Sequence, residues 1–280
     1  MKYINLHTHG KYSDGQGELI EFVESAINKN MAGIGFSSHT PIPYDNNWSM
    51  KLKDINEYRA DVNNLKKLYK NKIKVYLGLE LDYIESIDIK KYINFDKLNL
   101  DYYIAAVHYI YSATLKKHET VDDNGKDFEN VLINGFNNNI IELYTKYYET
   151  YREMIKEYKP SLLAHLDVVK KNNVNNKYFN ENDKEYINQV ILTLDEIKKH
   201  DCIVEINTGG LQRGYTSDTY PSLWILKECQ KRNIKITISA DAHVKENVNY
   251  MFDFAIANAK KAGYKHIYTF NGTLFKPQSI

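Results

Sequence analysis

The segment YINLHTH, residues 3–9, joins a short β-rich apolar run to two histidines that are one residue apart. The same junction of an apolar run with an imidazole or a carboxylate recurs in GIGFSSH (33–39), VYLGLE (75–80), YIAAVH (103–108), SLLAH (161–165) and ITISADAH (236–243). Several of these runs are almost continuously apolar, as expected of parallel strands buried on both faces. We therefore interpret them as strands of a parallel sheet, each ending in a chemically active side chain.

The rest of the chain alternates in the same way. Strands are predicted at residues 3–6, 33–37, 73–79, 102–107, 161–164, 202–206, 234–239 and 266–270. Helices are predicted at residues 18–29, 54–70, 138–158, 183–200, 221–232 and 249–262. This alternation indicates an α/β fold with right-handed crossovers. No linker-like stretch divides the chain, so we predict one barrel domain over residues 1–280.

The composition excludes several classes of function. The 280 residues contain 37 Lys and Arg against 36 Asp and Glu. This balance argues against a broadly basic surface, and we expect no nucleic-acid partner. No apolar run approaches the roughly 18 residues of a membrane span, and the first residues carry no apolar leader. We therefore expect a cytoplasmic protein with no membrane partner. The sequence does not specify the oligomeric state.

Imidazoles and carboxylates follow most of the predicted strands. In an α/β barrel the carboxyl ends of the strands meet on one face, which carries the chemistry. Residues i and i+2 of a strand point the same way, which explains the His-x-His and Asp-x-His spacings. Imidazole and carboxylate are ligands for Zn²⁺, Mn²⁺ or Fe²⁺. The candidate ligands exceed the capacity of one tetrahedral ion, so we predict two or three metals and hydrolysis of a phosphate ester. They are His7, His9, His39, Glu80, His108, His165, Asp241 and His243.

The same segments resemble the PHP (polymerase and histidinol phosphatase) superfamily, and more closely its monofunctional histidinol-phosphatases. The resemblance covers nearly the whole chain in family order and implies a distorted seven-stranded (β/α) TIM-like barrel, with residues 266–270 outside it. The segments that carry it are HTHGKYSDG (7–15), SSHTP (37–41), GLELDY (78–83), AAVHYI (105–110), LLAHLD (162–167), EINTGGLQRGY (205–215), YPS (220–222) and SADAH (239–243).

The resemblance also implies a distribution of ligands over two or three divalent transition metals, which are Zn, Mn or Fe. The first metal would be held by His7, His9, Glu80 and Asp241. The second would share Glu80 and take His108 and His165. The third would be held by His39 and His243, with Asp14 added. Asp14 precedes a glycine and also fits an ordinary Asp-Gly turn.

Other residues are expected to contact the substrate or to support the ligands. Arg213 is the main candidate for gripping a phosphate, because a guanidinium binds its oxygens in bidentate fashion, and His39 is a further candidate substrate contact. Lys170 and Lys171 are weaker candidates. Asp167 would orient a ligand imidazole or cap a helix. The segment 109–119 is expected to shape the substrate pocket.

The implied reaction is hydrolysis of L-histidinol phosphate to L-histidinol and phosphate, a step of histidine biosynthesis, by a hydroxide that bridges two metals. Asp14, Glu80 and Asp241 would be the catalytic carboxylates. The substrate is then a small phosphate ester. One alternative is a PHP phosphoesterase that acts on another small phosphomonoester or a nucleotide. A nuclease is disfavoured by the balanced charge, and a metal-binding protein without activity is disfavoured by the complete ligand set.

Overall fold

The computed structural model describes residues 2–280, and Met1, the first residue of the predicted domain, lies outside the described residues. Strands and helices alternate along this part of the chain. The strands are β1 Ile4–Asn5, β2 Gly33–Phe36, β3 Lys74–Leu77, β4 Glu80–Asp82, β5 Ile104–Ala106, β6 Tyr109–Ser112, β7 Lys117–Thr120, β8 Leu162–Leu163, β9 Ile203–Asn207, β10 Lys235–Ser239, β11 His266–Phe270 and β12 Phe275–Ser279. The helices are α1 Leu19–Asn28, α2 Ile55–Leu68, α3 Ile89–Tyr92, α4 Gly125–Asn130, α5 Ile140–Tyr158, α6 Lys184–Lys199, α7 Gly209–Gln212, α8 Leu223–Lys231 and α9 Phe252–Ala262.

The parallel strands form two arcs that face each other edge to edge. One arc has the order β1-β2-β3, and the other has the order β10-β9-β8-β5-β4. Isolated residue pairs join the arcs at both edges, Thr8 with Ala242 and His39 with Glu80. The α/β architecture predicted from the sequence is confirmed and is TIM-like. The hydrogen-bonded ladders nevertheless do not run continuously around the ring.

The predicted strand 73–79 is divided in two. β3 pairs with β2, β4 pairs with β5, and Gly78 lies at the break. A side chain at position 78 would overlap the ring of Tyr102, whose Cε2 lies 2.8 Å from where a Cβ would stand. The Tyr102 hydroxyl donates hydrogen bonds to the carbonyls of Leu6 at 2.5 Å and Phe36 at 3.1 Å. One buried tyrosine thus connects the two arcs at the point where the strand changes partner.

Helix α5 shows how the outer layer positions the strand ends. The Asn139 side chain caps it by accepting a hydrogen bond from the backbone N–H of Glu142 at 3.3 Å. Tyr147 and Tyr151 on its inner face are fully buried, as their helical spacing predicts. The Tyr151 hydroxyl donates to the carbonyl of Ala164 at 3.0 Å. The helix is therefore tied to the segment directly before His165.

The last strands lie outside the parallel arcs, as predicted for residues 266–270. β11 pairs antiparallel with β12. Phe270 is buried in an interior cluster that includes Leu6, Tyr102 and Ile203. Ile104 and Ile203, the first residues of their strands, belong to this cluster, so the hairpin closes the ring at the end opposite to the strand carboxyl termini. Within residues 2–280, none of the helices combines the length and the apolar character needed to cross a bilayer.

Candidate metal centre

Glu80, the first residue of β4, lies at the centre of the predicted ligands and is fully buried. In the described part of the chain, five imidazoles from four strand ends approach its two carboxylate oxygens. Oε2 lies 3.0 Å from His7 Nε2, 3.3 Å from His9 Nε2 and 3.3 Å from His39 Nδ1. Oε1 lies 2.9 Å from His165 Nε2 and 3.6 Å from His108 Nε2. The strand ends therefore converge on one carboxylate, as the barrel prediction requires.

Asp241, which follows β10, is the second carboxylate of the cluster. Its Oδ1 lies 3.3 Å from His9 Nε2 and 3.6 Å from both His7 Nε2 and His243 Nδ1. Its backbone φ is 48°, a left-handed conformation that few residues other than glycine adopt. Asp tolerates this conformation better than most residues do. Its other oxygen, Oδ2, accepts a hydrogen bond from Arg213 Nη2 at 2.9 Å.

Asp14 completes a third group at the edge of the cluster. Its Oδ2 lies 3.0 Å from His243 Nε2, and its Oδ1 lies 3.5 Å from His9 Nδ1 and 4.0 Å from His39 Nε2. The Asp14 side chain is 31% exposed, against 1% for Glu80 and 8% for Asp241. The structure therefore brings Asp14 to the other predicted ligands and makes it the carboxylate most accessible to solvent among those three.

The donor atoms of all nine predicted ligands fall in overlapping groups within which the atoms lie no more than 4.8 Å apart. These groups are His9, Asp14, His39 and His243; His7, Glu80 and His165; His7, His9 and Asp241; and His39, Glu80 and His108. They divide the residues differently from the sequence-based scheme, in which His9 and Asp241 share a metal with Glu80. The overlap means that several donors could serve more than one ion.

Unsatisfied buried atoms support the fit of these groups to metal ions. Among residues 2–280, Nδ1 and Nε2 of His9, Nδ1 of His39 and Oδ1 of Asp14 find no hydrogen-bond partner, although opposite charges lie nearby. Burial, with the neighbouring charge of His243, lowers the pKa of His9 to about 4. His9 is therefore neutral at pH 7, with a nitrogen lone pair available. A buried cation between nitrogen and carboxylate would satisfy these atoms, so the donor set fits divalent metals.

Two buried carboxylates that the sequence analysis did not select hold the imidazoles in place. Glu205 of β9 has Oε2 2.9 Å from His7 Nδ1, and it accepts hydrogen bonds from the His165 backbone N–H at 2.9 Å and Ser239 Oγ at 2.6 Å. Asp82 of β4 has Oδ1 2.6 Å from His108 Nδ1. Both resemble the carboxylate–histidine pairs that orient metal ligands.

The sequence contains features that point to both Asp82 and Glu205. Asp82 stands two residues after Glu80 and so points to the same side of the strand. Glu205 interrupts an apolar strand, where a carboxylate needs a partner. Position alone could have selected both residues.

Arg213 lies at the mouth of the cluster, as predicted. Its Nη2 is bonded to Asp241 Oδ2, and its Nη1 lies 2.9 Å from His243 Nδ1. The mouth opens into a cavity of about 380 Å³ whose lining includes Asp14, Trp48, Glu80, His108, Asp122, His165, Lys171, Arg213, Tyr215, Tyr220, Asp241 and His243. A guanidinium, buried metal-ligand candidates and an open cavity thus occur together.

Only some of the residues expected to support the ligands or to contact the substrate lie where the sequence predicts. Asp167 contacts no ligand imidazole; it accepts a hydrogen bond from the backbone N–H of Ser222 at 3.0 Å, just before α8. Neither predicted role is found, because Ser222 is itself the N-cap residue of α8 and the short helical turn that follows Asp167, Val168–Lys170, has no side-chain capping bond. Lys170 is buried in an ion pair with Asp167 at 2.7 Å and does not line the cavity, whereas Lys171 does. The segment 109–119 makes up most of the β6–β7 hairpin, but the hairpin residue that lines the cavity is Thr120, the last residue of β7.

Fold and site together define a TIM-like α/β protein with a histidine- and carboxylate-rich centre able to bind metal. The chain belongs to the PHP domain family, because the model of the PHP domain matches residues 5–209. It is 26% identical over 263 residues to a histidinol-phosphatase of Bacillus subtilis, covering 89% of this chain and 96% of that protein. It is 28% identical over 293 residues to a histidinol-phosphatase of Lactococcus lactis, covering 97% and 96%.

Solved structures show the same fold. A Listeria monocytogenes protein assigned as a histidinol phosphatase matches with a TM-score of 0.77 and 19% identity, over 90% of this chain and 99% of that one. The histidinol phosphate phosphatase of Lactococcus lactis, in complex with zinc, L-histidinol and phosphate, matches with a TM-score of 0.69 and 22% identity, over 98% and 99%.

Proposed function

We propose that this protein is a metal-dependent phosphatase that hydrolyses L-histidinol phosphate to L-histidinol and phosphate. The observation that carries the proposal is the convergence of five imidazoles on Glu80, beside Arg213, in one cavity. The names of the relatives and the zinc, L-histidinol and phosphate of the Lactococcus lactis structure support the substrate and the metal.

We propose that two or three divalent transition metals occupy the centre, zinc being the best supported, with Mn and Fe as alternatives. Such ions would polarise the phosphoryl oxygens and acidify a water molecule. Their ligands would be His7, His9, Asp14, His39, Glu80, His108, His165, Asp241 and His243. Glu205 and Asp82 would keep the rings of His7 and His108 oriented with the correct nitrogen facing the ions.

Arg213 would bind the phosphate of the substrate. Its guanidinium is partly exposed to the cavity, with 26% of the side chain accessible, and Asp241 fixes its position. Bidentate hydrogen bonds from a guanidinium match two phosphate oxygens and offset charge that develops on them. His39 lines the same cavity and is the second proposed substrate contact.

Glu80 and Asp241 act as catalytic carboxylates by fixing the charge and geometry of the centre. Burial opposes ionisation of Asp14, but its hydrogen bond with His243 and the nearby imidazoles hold its pKa well below the usual range. An ionised Asp14 accepts protons and cannot donate one. So low a pKa also makes Asp14 a weak base, which favours it as a metal ligand and disfavours it as the acid that protonates the leaving alkoxide.

We also propose that the chain forms one domain. The cavity is lined by residues from Asp14 to His243, and both arcs contribute to it. The residues that line the site are therefore spread over most of the chain.

The test is the release of inorganic phosphate from L-histidinol phosphate by the purified protein, with metal content measured on the same sample. The panel contains other small phosphomonoesters and nucleotides. We expect a preference for L-histidinol phosphate of at least about 100-fold in kcat/KM. A broad or reversed preference would indicate a PHP phosphoesterase with another substrate. Absence of both hydrolysis and bound metal would reject the proposal.

A further inference from the structure

The cavity beside the metal centre contains one carboxylate whose role the proposed reaction does not explain. Asp122 follows the β6–β7 hairpin, is half-buried and lines the cavity. Within residues 2–280, its carboxylate forms neither a hydrogen bond nor an ion pair. The acidic side chains of the cavity lining are Asp14, Glu80, Asp122, Asp123 and Asp241.

The other four carboxylates are engaged. Asp14, Glu80 and Asp241 face the imidazoles of the centre. Asp123 is exposed and is used within its own loop, because it accepts hydrogen bonds from Thr120 Oγ1 at 3.3 Å and the Asn124 backbone N–H at 3.1 Å. Asp122 also lies outside the groups of potential metal ligands found among the described residues.

The backbone holds Asp122 in position. The N–H of the preceding residue, Val121, donates to the carbonyl of His108 at 2.9 Å. The ammonium of Lys171 donates to the backbone carbonyl of Asp122, and it lies over the ring of Tyr215 at 4.8 Å. Lys171 is thus bonded to the backbone of Asp122 and not to its side chain, and the Asp122 carboxylate has no direct ion-pair partner among residues 2–280.

The cavity consequently has charges of opposite sign from different strands. Arg213 follows β9, Asp122 comes from the hairpin after β5, and β8 lies between those strands in the sheet. Arg213 suits the phosphate of a substrate, and an unpaired carboxylate suits a cation on the same substrate. L-Histidinol phosphate carries an ammonium group on the second carbon from the ester oxygen.

We propose that Asp122 binds the ammonium group of the substrate and selects phosphate esters that carry an amine. This inference rests on the proposed function and adds the residue that determines specificity. Asp122 contacts no reacting atom and therefore acts on substrate binding. The metals and Arg213 act on any phosphomonoester, and Asp122 distinguishes aminoalkyl phosphates from the rest.

The test compares L-histidinol phosphate with its des-amino analogue, 3-(imidazol-4-yl)propyl phosphate, in the metal-loaded full-length protein. The unsubstituted protein should prefer the amine-bearing ester. Asp122→Asn keeps the shape and removes the charge. We expect it to lower kcat/KM for L-histidinol phosphate about tenfold or more and to change that for the analogue less than about threefold. The adjacent Asp123→Asn is the matched control and should leave the ratio unchanged.

A binding measurement provides a second readout. Calorimetry should show that Asp122→Asn weakens L-histidinol about tenfold or more and leaves inorganic phosphate unaffected. Equal losses on both esters, or no loss on either, would overturn the role of Asp122, as would an unsubstituted protein that does not distinguish the two esters. Failure of that protein to hydrolyse L-histidinol phosphate at all would instead reject the proposed function.

Discussion

Glu80 owes its importance to its position among the strand ends. Imidazoles from β1, β2, β5 and β8 approach its two oxygens, so one side chain connects most of the proposed ligands. Burial opposes its ionisation, but the charges of His39 and His7 and the hydrogen bond with His165 hold its pKa well below the usual range. Glu80 is therefore an anion at any pH at which the protein is expected to work.

Replacing Glu80 with Gln tests this central role. The variant keeps the shape but loses the charge shared by the proposed metals, so we expect kcat/KM to fall at least about 1000-fold. Metal content, measured by atomic emission after dialysis, should fall with it. Glu24→Gln, at an exposed position on α1, is the control and should retain both. Full metal content with full activity in Glu80→Gln would show that Glu80 is not a ligand.

Glu205 offers a different test, because it acts on His7 and not on the substrate. Glu205→Gln should reduce metal affinity about 10–100-fold, as loss of a carboxylate behind a ligand histidine typically does. Excess metal should therefore restore most of the activity, which it cannot do for a lost ligand. Metal titration followed by activity measures this. Loss of activity that no metal concentration reverses would contradict an orienting role.

At the scale of single residues, the sequence predicts that the side chains at the strand ends lie close together, and the structure brings them together. The strand-end rule selects His7, Glu80 and His165 without any knowledge of distance. It does not select Glu205, because that residue lies inside an apolar strand and not at its end. Nor does it predict which nitrogen of an imidazole faces which oxygen, since that depends on side-chain rotamers and on hydrogen bonds between strands far apart in sequence.

At the scale of elements, prediction succeeds where a periodic pattern is long. The sequence predicts a helix at residues 138–158, and α5 is found at Ile140–Tyr158. The strands of the β6–β7 hairpin are not among those predicted, because they are four residues each and are polar or half-exposed in part. The sequence predicts one strand at 73–79, and it does not predict the change of partner at Gly78, after which β4 pairs with β5 and not with β2.

The contact of α5 with the segment directly after β8 predicts a measurable effect on stability. Tyr151→Ala should lower the free energy of unfolding by about 3–5 kcal/mol, because removal of a fully buried ring leaves a cavity. Tyr151→Phe should cost about 1 kcal/mol, the value of its hydrogen bond to Ala164. Ile141→Ala, on the exposed side of the same helix, should change it by less than about 1 kcal/mol. Urea unfolding distinguishes the three, and equal effects would refute the packing interpretation.

At the scale of the whole molecule, the ring of strands brings together buried carboxylates whose negative charge is not balanced by Lys and Arg side chains alone. The balanced composition of 37 basic and 36 acidic residues conceals this concentration. Burial lowers the pKa of His39, but the charges of Glu80 and Asp82 outweigh it and raise that pKa to about 10. Burial likewise opposes a charge on His108, and Asp122 and Asp82 raise its pKa to about 9. Without metals, protons on these imidazoles provide the missing positive charge.

Removing the metals should therefore make stability depend on pH. A histidine whose folded-state pKa is raised stabilises the fold fully below its unfolded pKa of about 6.5. That contribution disappears as the pH rises through the folded-state values of about 9 for His108 and about 10 for His39. In a chelator, the free energy of unfolding should fall by about 2 kcal/mol or more between pH 7 and pH 9.5.

The metal-loaded protein should show a smaller fall over the same range, because bound metals replace the protons as counter-charge to Glu80 and Asp82. Loading should also raise stability at pH 7 by about 3 kcal/mol at a metal concentration near 100 times the dissociation constant. Urea unfolding at pH 7 and pH 9.5, with and without chelator, measures both effects. His108→Gln in chelator should lose part of the pH dependence, since one of the titrating imidazoles is gone. Stability of the metal-free protein that rises with pH would mean that the imidazoles do not carry the compensating charge.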